Sequence, residues 1–185
     1  MIDQRGWLQS QDRPIRHLPS PNFNQRPEPG DISLLVVHNI SLPPDQFGGG
    51  YIEQFFCNQL DCSIHPYFEE IRDLTVSAHV LIDRSGAMIQ FVSFLDRAWH
   101  AGASCFAGRD DCNDFSVGVE LEGSDCQPFS QSQYDSLAWL SRQLMARFPS
   151  LTAERIVGHE HIAPGRKTDP GPYFNWDLYQ QMIRG

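Results

Sequence analysis

The run Ser33-Leu34-Leu35-Val36-Val37-His38 constrains this chain more than any other stretch. A strand with one wet face alternates apolar and polar residues; a near-continuous apolar run needs cover on both faces, as inner strands of α/β sheets have. Phe115 to Leu121 reads as a second buried strand. Tyr51 to Phe56 predicts a short helix, and Ala78–Ile82 with Ala87–Val92 predicts a hairpin turned at Asp83-Arg84-Ser85-Gly86. Ser130, with Gln133 three residues on, opens a helix whose Tyr134, Leu137, Ala138, Leu140, Leu144 and Phe148 recur at helical spacing until Pro149. A strand tail at Arg155-Ile156-Val157 and a last helix from near Asn175 complete the pattern. Strands interleaved with helices predict an α/β fold: a single domain with a mixed central β-sheet flanked by helices.

At 185 residues the chain can bury one sizeable core. Residues 1–31, rich in Pro, Asn and Gln, read as an irregular N-terminal arm anchored by Trp7 and Leu8, with the domain proper at 32–185. Asp96 to Asn113 reads as a long glycine-bearing loop of functional length.

A net charge of -9 with only 14 Lys and Arg excludes a partner held through phosphates, so no nucleic acid is expected. No apolar run approaches the roughly 20 residues that span a bilayer, and Met1 to Ser20 lacks the apolar segment of a secretion signal. Five cysteines without a C-x-x-C pair read as reduced, structural thiols. These features predict a cytoplasmic protein without a membrane or an obligatory protein partner.

The chemistry concentrates in Ile156 to Pro172, IVGHEHIAPGRKTDPGP, where prolines and glycines brace a loop carrying His159, Glu160, His161, Lys167 and Asp169. His38 and His159 each end an apolar strand, where α/β sheets place their sites. With Asp169, ten residues past His159, they make two imidazoles and one carboxylate, the ligand set of a catalytic zinc. Spacing alone leaves the choice open. His161 or His100 can replace either imidazole, because on a strand His159 and His161 face the same way. His17 and His65 read as structural, and His79 as a residue that packs or donates one hydrogen bond. Glu120, near the end of a buried strand, suits a base for zinc chemistry, and Lys167 suits the charge that meets an oxyanion. The plain alternatives are a rim carboxylate and a solvated lysine.

LLVVHNISLPP (34–44), VSAHVLIDRSG (76–86), RAWHAG (97–102), CNDFSVGVELEG (112–123) and GHEHIAPGRKTDPG (158–171) together resemble the cytosolic N-acetyl-anhydromuramyl-L-alanine amidases of bacterial cell-wall recycling. The match runs in order from about residue 14 to 182. The pattern is more distantly similar to phage-type amidases and peptidoglycan recognition proteins. The resemblance implies a zinc amidase acting on an anhydromuropeptide substrate, with His38, His159 and Asp169 as zinc ligands. It also implies Glu120 as acid/base and Lys167 as the residue steadying the tetrahedral intermediate. Asn39, Trp99 and Arg166 fall in its motifs and are expected to bind substrate. Asp111 and Thr75 stand where some family members are expected to place arginines for the stem-peptide carboxylates, which shifts that role toward Arg109 and Arg166. Two rival readings are a non-catalytic muropeptide-binding module and an amidase of intact peptidoglycan.

Overall fold

The computed structural model describes residues 1–184. The chain runs β1 (Ile15–His17), β2 (Phe23–Gln25), β3 (Leu34–Ile40), α1 (Tyr51–Phe56), α2 (Pro66–Glu70), β4 (Val80–Ile82), β5 (Met88–Gln90), β6 (Asp96–Ala98), β7 (Cys105–Phe106) and β8 (Arg109–Asp110). It continues through β9 (Ser116–Glu122), α3 (Gln131–Arg147), β10 (Ile156–Gly158), α4 (His159–Ile162) and α5 (Trp176–Arg184). Six strands form the central sheet in the order β1-β5-β4-β9-β3-β10. Only the β4–β5 hairpin is antiparallel; every other pair is parallel, so the sheet is mixed as the sequence pattern predicts.

Both faces of this sheet are covered, which is why its inner strands read as continuous apolar runs. On one face Leu35, Val37, Val80, Val119 and Leu121 pack with Leu137, Leu140 and Leu144 of α3 and Tyr179 of α5. On the other, Leu34 and Val36 meet Ala101, Cys112, Phe115 and Ile162, while Leu81 and Ile89 meet the phenylalanines around α1. Helix α3 begins as the sequence predicts: the Ser130 hydroxyl accepts from Gln133 N–H, and the Gln133 side chain accepts from Ser130 N–H. In the hairpin turn, Asp83 Oδ1 accepts from the backbone N–H of Ser85 and Ala87, and Gly86 takes φ 88°.

Three segments differ from the sequence expectation. The N-terminal arm is not wholly irregular, because β1 adds an edge strand to the sheet and β2 pairs with β6. Its Arg26 is buried and donates to the carbonyls of Phe94, Asn113, Asp114 and Ser116. Burial draws that guanidinium down to about 10, still charged at neutral pH. The 96–113 segment is not one loop: it holds β6 and a small hairpin, β7–β8. Ala107 and Gly108 both take positive φ there, the geometry of a two-residue turn that apolar periodicity does not reveal. Finally, His159 opens the short helix α4 instead of ending a strand at a loop.

All five cysteines are free thiols. No helix among the described residues is long and apolar enough to cross a membrane.

Candidate metal centre

Strand register assembles the site. His38 of β3 lies opposite Glu120 of β9, and Val37 lies opposite Gly158 of β10, the residue before His159. The chain then returns so that Glu160 N–H donates to the Asp169 carbonyl at 3.0 Å, which brings the Asp169 carboxylate up to the two rings. His38 Nδ1 lies 3.0 Å from His159 Nδ1 and 2.9 Å from Asp169 Oδ2, and His159 Nδ1 lies 3.1 Å from the same oxygen. Three donor atoms thus converge from segments far apart in sequence.

The hydrogen bonds of the rings test whether a cation fits. His159 Nε2 sits 2.9 Å from the Ala101 carbonyl, a pure acceptor, so the ring's proton belongs on Nε2. In the neutral ring Nδ1 is then the lone-pair nitrogen, so it can face Asp169 Oδ2 as a second donor to a cation held among the three atoms. Burial drives the His38 imidazole down to about 4, so it is neutral at physiological pH, as a metal ligand must be. Burial alone would raise the Asp169 carboxyl, but contact with His159 and His38 outweighs it and holds the group well below the usual carboxylate range. Two imidazole nitrogens and an ionised carboxylate converging on one point suit a zinc ion.

Glu120 stands beside this trio. It is buried, its Oε2 has no hydrogen-bond partner among the described residues, and burial, reinforced by the charge of Asp169, raises its pKa well above 4.5. A buried carboxylate oxygen without a partner is rare in a stable fold and common where a substrate or water completes the site. Lys167 sits on the exposed rim of the same cleft, which measures about 360 Å³. The apolar wall of the cleft is built by Leu42, Pro44, Phe55, Tyr67, Ile71 and Leu74.

The remaining candidates divide. Asn39 and Trp99 line the cleft. Asn39 Nδ2 donates to Asp125 and to the Pro170 carbonyl, while the Trp99 indole N–H donates to Asn24. Arg109 does not line it: its guanidinium pairs with Asp31 and stacks 3.9 Å from the centre of the Phe115 ring. Arg166 does not line it either: it donates to the carbonyls of Ala101 and Ala103 at 2.6 Å each, with the same nitrogen 3.5 Å from His159 Nε2. The expectation that these two arginines hold substrate therefore has no support in their positions.

His161 leaves the site because α4 turns about 100° per residue, so positions two apart diverge. It accepts from Gly158 N–H and packs on Trp176. His100 stands behind His38 instead of joining the trio. His17 contacts the Leu8 carbonyl, His65 caps α2, and His79 accepts from Gly118 N–H through Nδ1. Sequence reading missed Asn113 and Asp125. Each works by bracing backbone or side chains around the site, a role that spacing does not signal.

Fold and site define a class: an α/β domain with a His-His-Asp cluster and a buried carboxylate lining one cleft. The family model described as N-acetylmuramoyl-L-alanine amidase matches residues 28–172, and the chain belongs to that family. It is 56% identical over 169 residues to the 1,6-anhydro-N-acetylmuramyl-L-alanine amidase AmpD of Haemophilus influenzae, covering 91% of this chain and 92% of the relative. Among solved structures, the selenomethionine derivative of AmpD superposes with a TM-score of 0.93 at 48% identity, covering 99% of each chain. The amidase AmiD of Escherichia coli, solved with anhydro-N-acetylmuramic acid-L-Ala-D-γ-Glu-L-Lys, gives a TM-score of 0.61 at 26% identity. That match covers 98% of this chain and 65% of AmiD.

Proposed function

We propose that this amidase is zinc-dependent and hydrolyses the amide between the lactyl group of 1,6-anhydro-N-acetylmuramic acid and the L-alanine of the stem peptide, as a cytoplasmic step of muropeptide recycling. The observation that carries the reading is the convergence of His38 Nδ1, His159 Nδ1 and Asp169 Oδ2 beside the unpartnered Oε2 of Glu120. The activity named for the relative that is 56% identical supports the choice of substrate.

Zinc held by His38, His159 and Asp169 would supply Lewis-acid polarisation of the scissile carbonyl and a lowered pKa for the attacking water. Glu120 accepts a proton from that water as the new C–O bond forms, and delivers it to the alanine nitrogen as the C–N bond breaks. Its raised pKa suits both halves of that transfer, since a carboxylate in the ordinary range donates poorly to an amine. Lys167, on the cleft rim, meets the oxyanion with a positive charge. Asn39 has its N–H groups tied to Asp125 and Pro170, so its Oδ1 is left to accept from the substrate. The indole face of Trp99 and the apolar wall shield the reacting amide from bulk water.

The test combines metal analysis with turnover of anhydromuropeptide and of its reducing, non-anhydro counterpart. About one zinc per chain and a marked preference for the anhydro substrate are expected, with activity lost on chelation and in Asp169→Ala. Zinc without turnover would establish the binding-module alternative, equal turnover of both substrates an amidase of intact peptidoglycan. Full activity after chelation would end the zinc reading.

A further inference from the structure

The residues just behind the metal trio form one unit. His38 Nε2 lies 2.9 Å from His100 Nδ1, and His100 Nε2 lies 3.1 Å from the Ser116 hydroxyl. The next residue, Ala101, offers its carbonyl to His159 Nε2. Asn113 Oδ1 holds this dipeptide in place by accepting from the backbone N–H of His100 at 3.1 Å and of Ala101 at 2.8 Å. Consecutive residues therefore face the outer nitrogens of both imidazoles.

Strand β9 is shaped to seat the His100 ring. Ser116, Gly118 and Glu120 share one face. Ser116 contacts the ring and Glu120 lies opposite His38. Gly118 leaves the space between them: a Cβ there would come within 2.3 Å of the His100 imidazole. A glycine inside a fully buried strand weakens it, and close approach of another group is the usual reason for it.

We propose that His100 is the positioning residue for His38, its Nδ1 accepting the His38 Nε2–H so that the Nδ1 lone pair of His38 is turned toward Asp169 and His159. The inference rests on the reading in which those three residues hold zinc. With His38 Nδ1 on a cation, the ring's proton must sit on Nε2, and a buried N–H requires an acceptor. His100 Nδ1 is that acceptor, its own Nε2–H donating to Ser116. Such outer partners set the orientation and basicity of a metal-ligating imidazole.

Zinc affinity by competition with a chromophoric chelator, alongside imidazole ¹⁵N NMR of the zinc-loaded protein, provides the test. His100→Phe keeps a ring but no acceptor, and should weaken zinc binding about 10–100-fold, the usual cost of losing an outer partner. His100→Asn, whose Oδ1 can occupy the Nδ1 position, should stay within a few-fold of wild type. Wild-type affinity in His100→Phe, or equal losses in both variants at matched Tm, would overturn the assignment. A through-hydrogen-bond coupling from His38 Nε2–H to His100 Nδ1 in the wild type needs no variant, and a proton found on His100 Nδ1 instead would also overturn it. Wild-type protein that takes up no zinc would overturn the three-ligand reading itself.

Discussion

The two faces of β9 are both buried and chemically opposite. Val117, Val119 and Leu121 point into the core beneath α3 and are wholly buried. Ser116, Glu120 and Glu122, on the other face, are also buried. Exclusion of water therefore does not separate scaffold from site in this strand; hydrogen-bond satisfaction does. The two glutamates sharpen the point. Glu122 accepts from Gly48 N–H at 2.6 Å through one oxygen and from Arg84 N–H at 3.1 Å through the other. Glu120, two residues earlier, leaves Oε2 without a partner. One carboxylate ties loops together, and its neighbour is held ready for something the fold does not supply.

The strongest way to break this contrast is Glu120→Gln. Removing the acid/base group should lower kcat about 10²–10⁴-fold, or roughly 3–5 kcal/mol of barrier. Zinc content should be kept and Tm unchanged or raised, because a buried carboxylate without a partner burdens the native state. A Tm loss of several degrees with near-normal kcat would move Glu120 into the scaffold. On the opposite face, Leu140→Ala should cost about 2–5 kcal/mol in urea unfolding while kcat per folded molecule stays constant, since Leu140 lies wholly in the α3 side of the core.

How much of this was legible beforehand follows from the same contrast. Apolar runs at Leu34–Val37 and Phe115–Leu121 named the buried strands, and the Ser130 and Gln133 pair named the start of α3. Motif resemblance picked His159 over His161. Periodicity had no means to do so, because it assumed a strand where α4 begins. His100 was legible as a histidine near the site but not as a partner of His38, a relation fixed by a loop that crosses the sheet and by the space over Gly118. Arg109 and Arg166 carried the right charge for substrate carboxylates, yet Asp31 and the Ala101 and Ala103 carbonyls occupy them. Partners of that kind, remote in sequence, leave no trace in local pattern.

His79 extends the comparison to pH. Burial, with the nearby Arg26 charge adding to it, pushes its imidazole down to about 3, against 6.5 for an exposed ring. Between those values the unfolded chain binds a proton that the folded chain does not, so stability falls as pH drops below 6.5 and is fully present above it. By pH 4 this one group removes about 3 kcal/mol. Urea midpoints across that range should be flatter in His79→Gln than in the wild type, and identical slopes would remove His79 as the cause. Glu122→Ala should come next, costing about 1–3 kcal/mol for two backbone donors left unpaired. It should also raise KM more than it lowers kcat, because Gly48 belongs to the segment that carries the Leu42 and Pro44 wall of the cleft.

The smallest effect probes whether the α3 side is braced by capping or by packing alone. The Ser130 hydroxyl accepts from Gln133 N–H at 3.1 Å and donates to the Arg84 carbonyl at 2.8 Å, so it both starts α3 and ties it to the β4–β5 turn. Ser130→Ala removes both bonds and should cost about 1 kcal/mol, seen as a small drop in Tm at unchanged kcat. Ser130→Asp restores the cap, since its carboxylate accepts from Gln133 N–H, but it has no proton for Arg84. An intermediate Tm for Asp would divide the loss between helix start and turn, whereas Asp matching wild type would assign all of it to the cap.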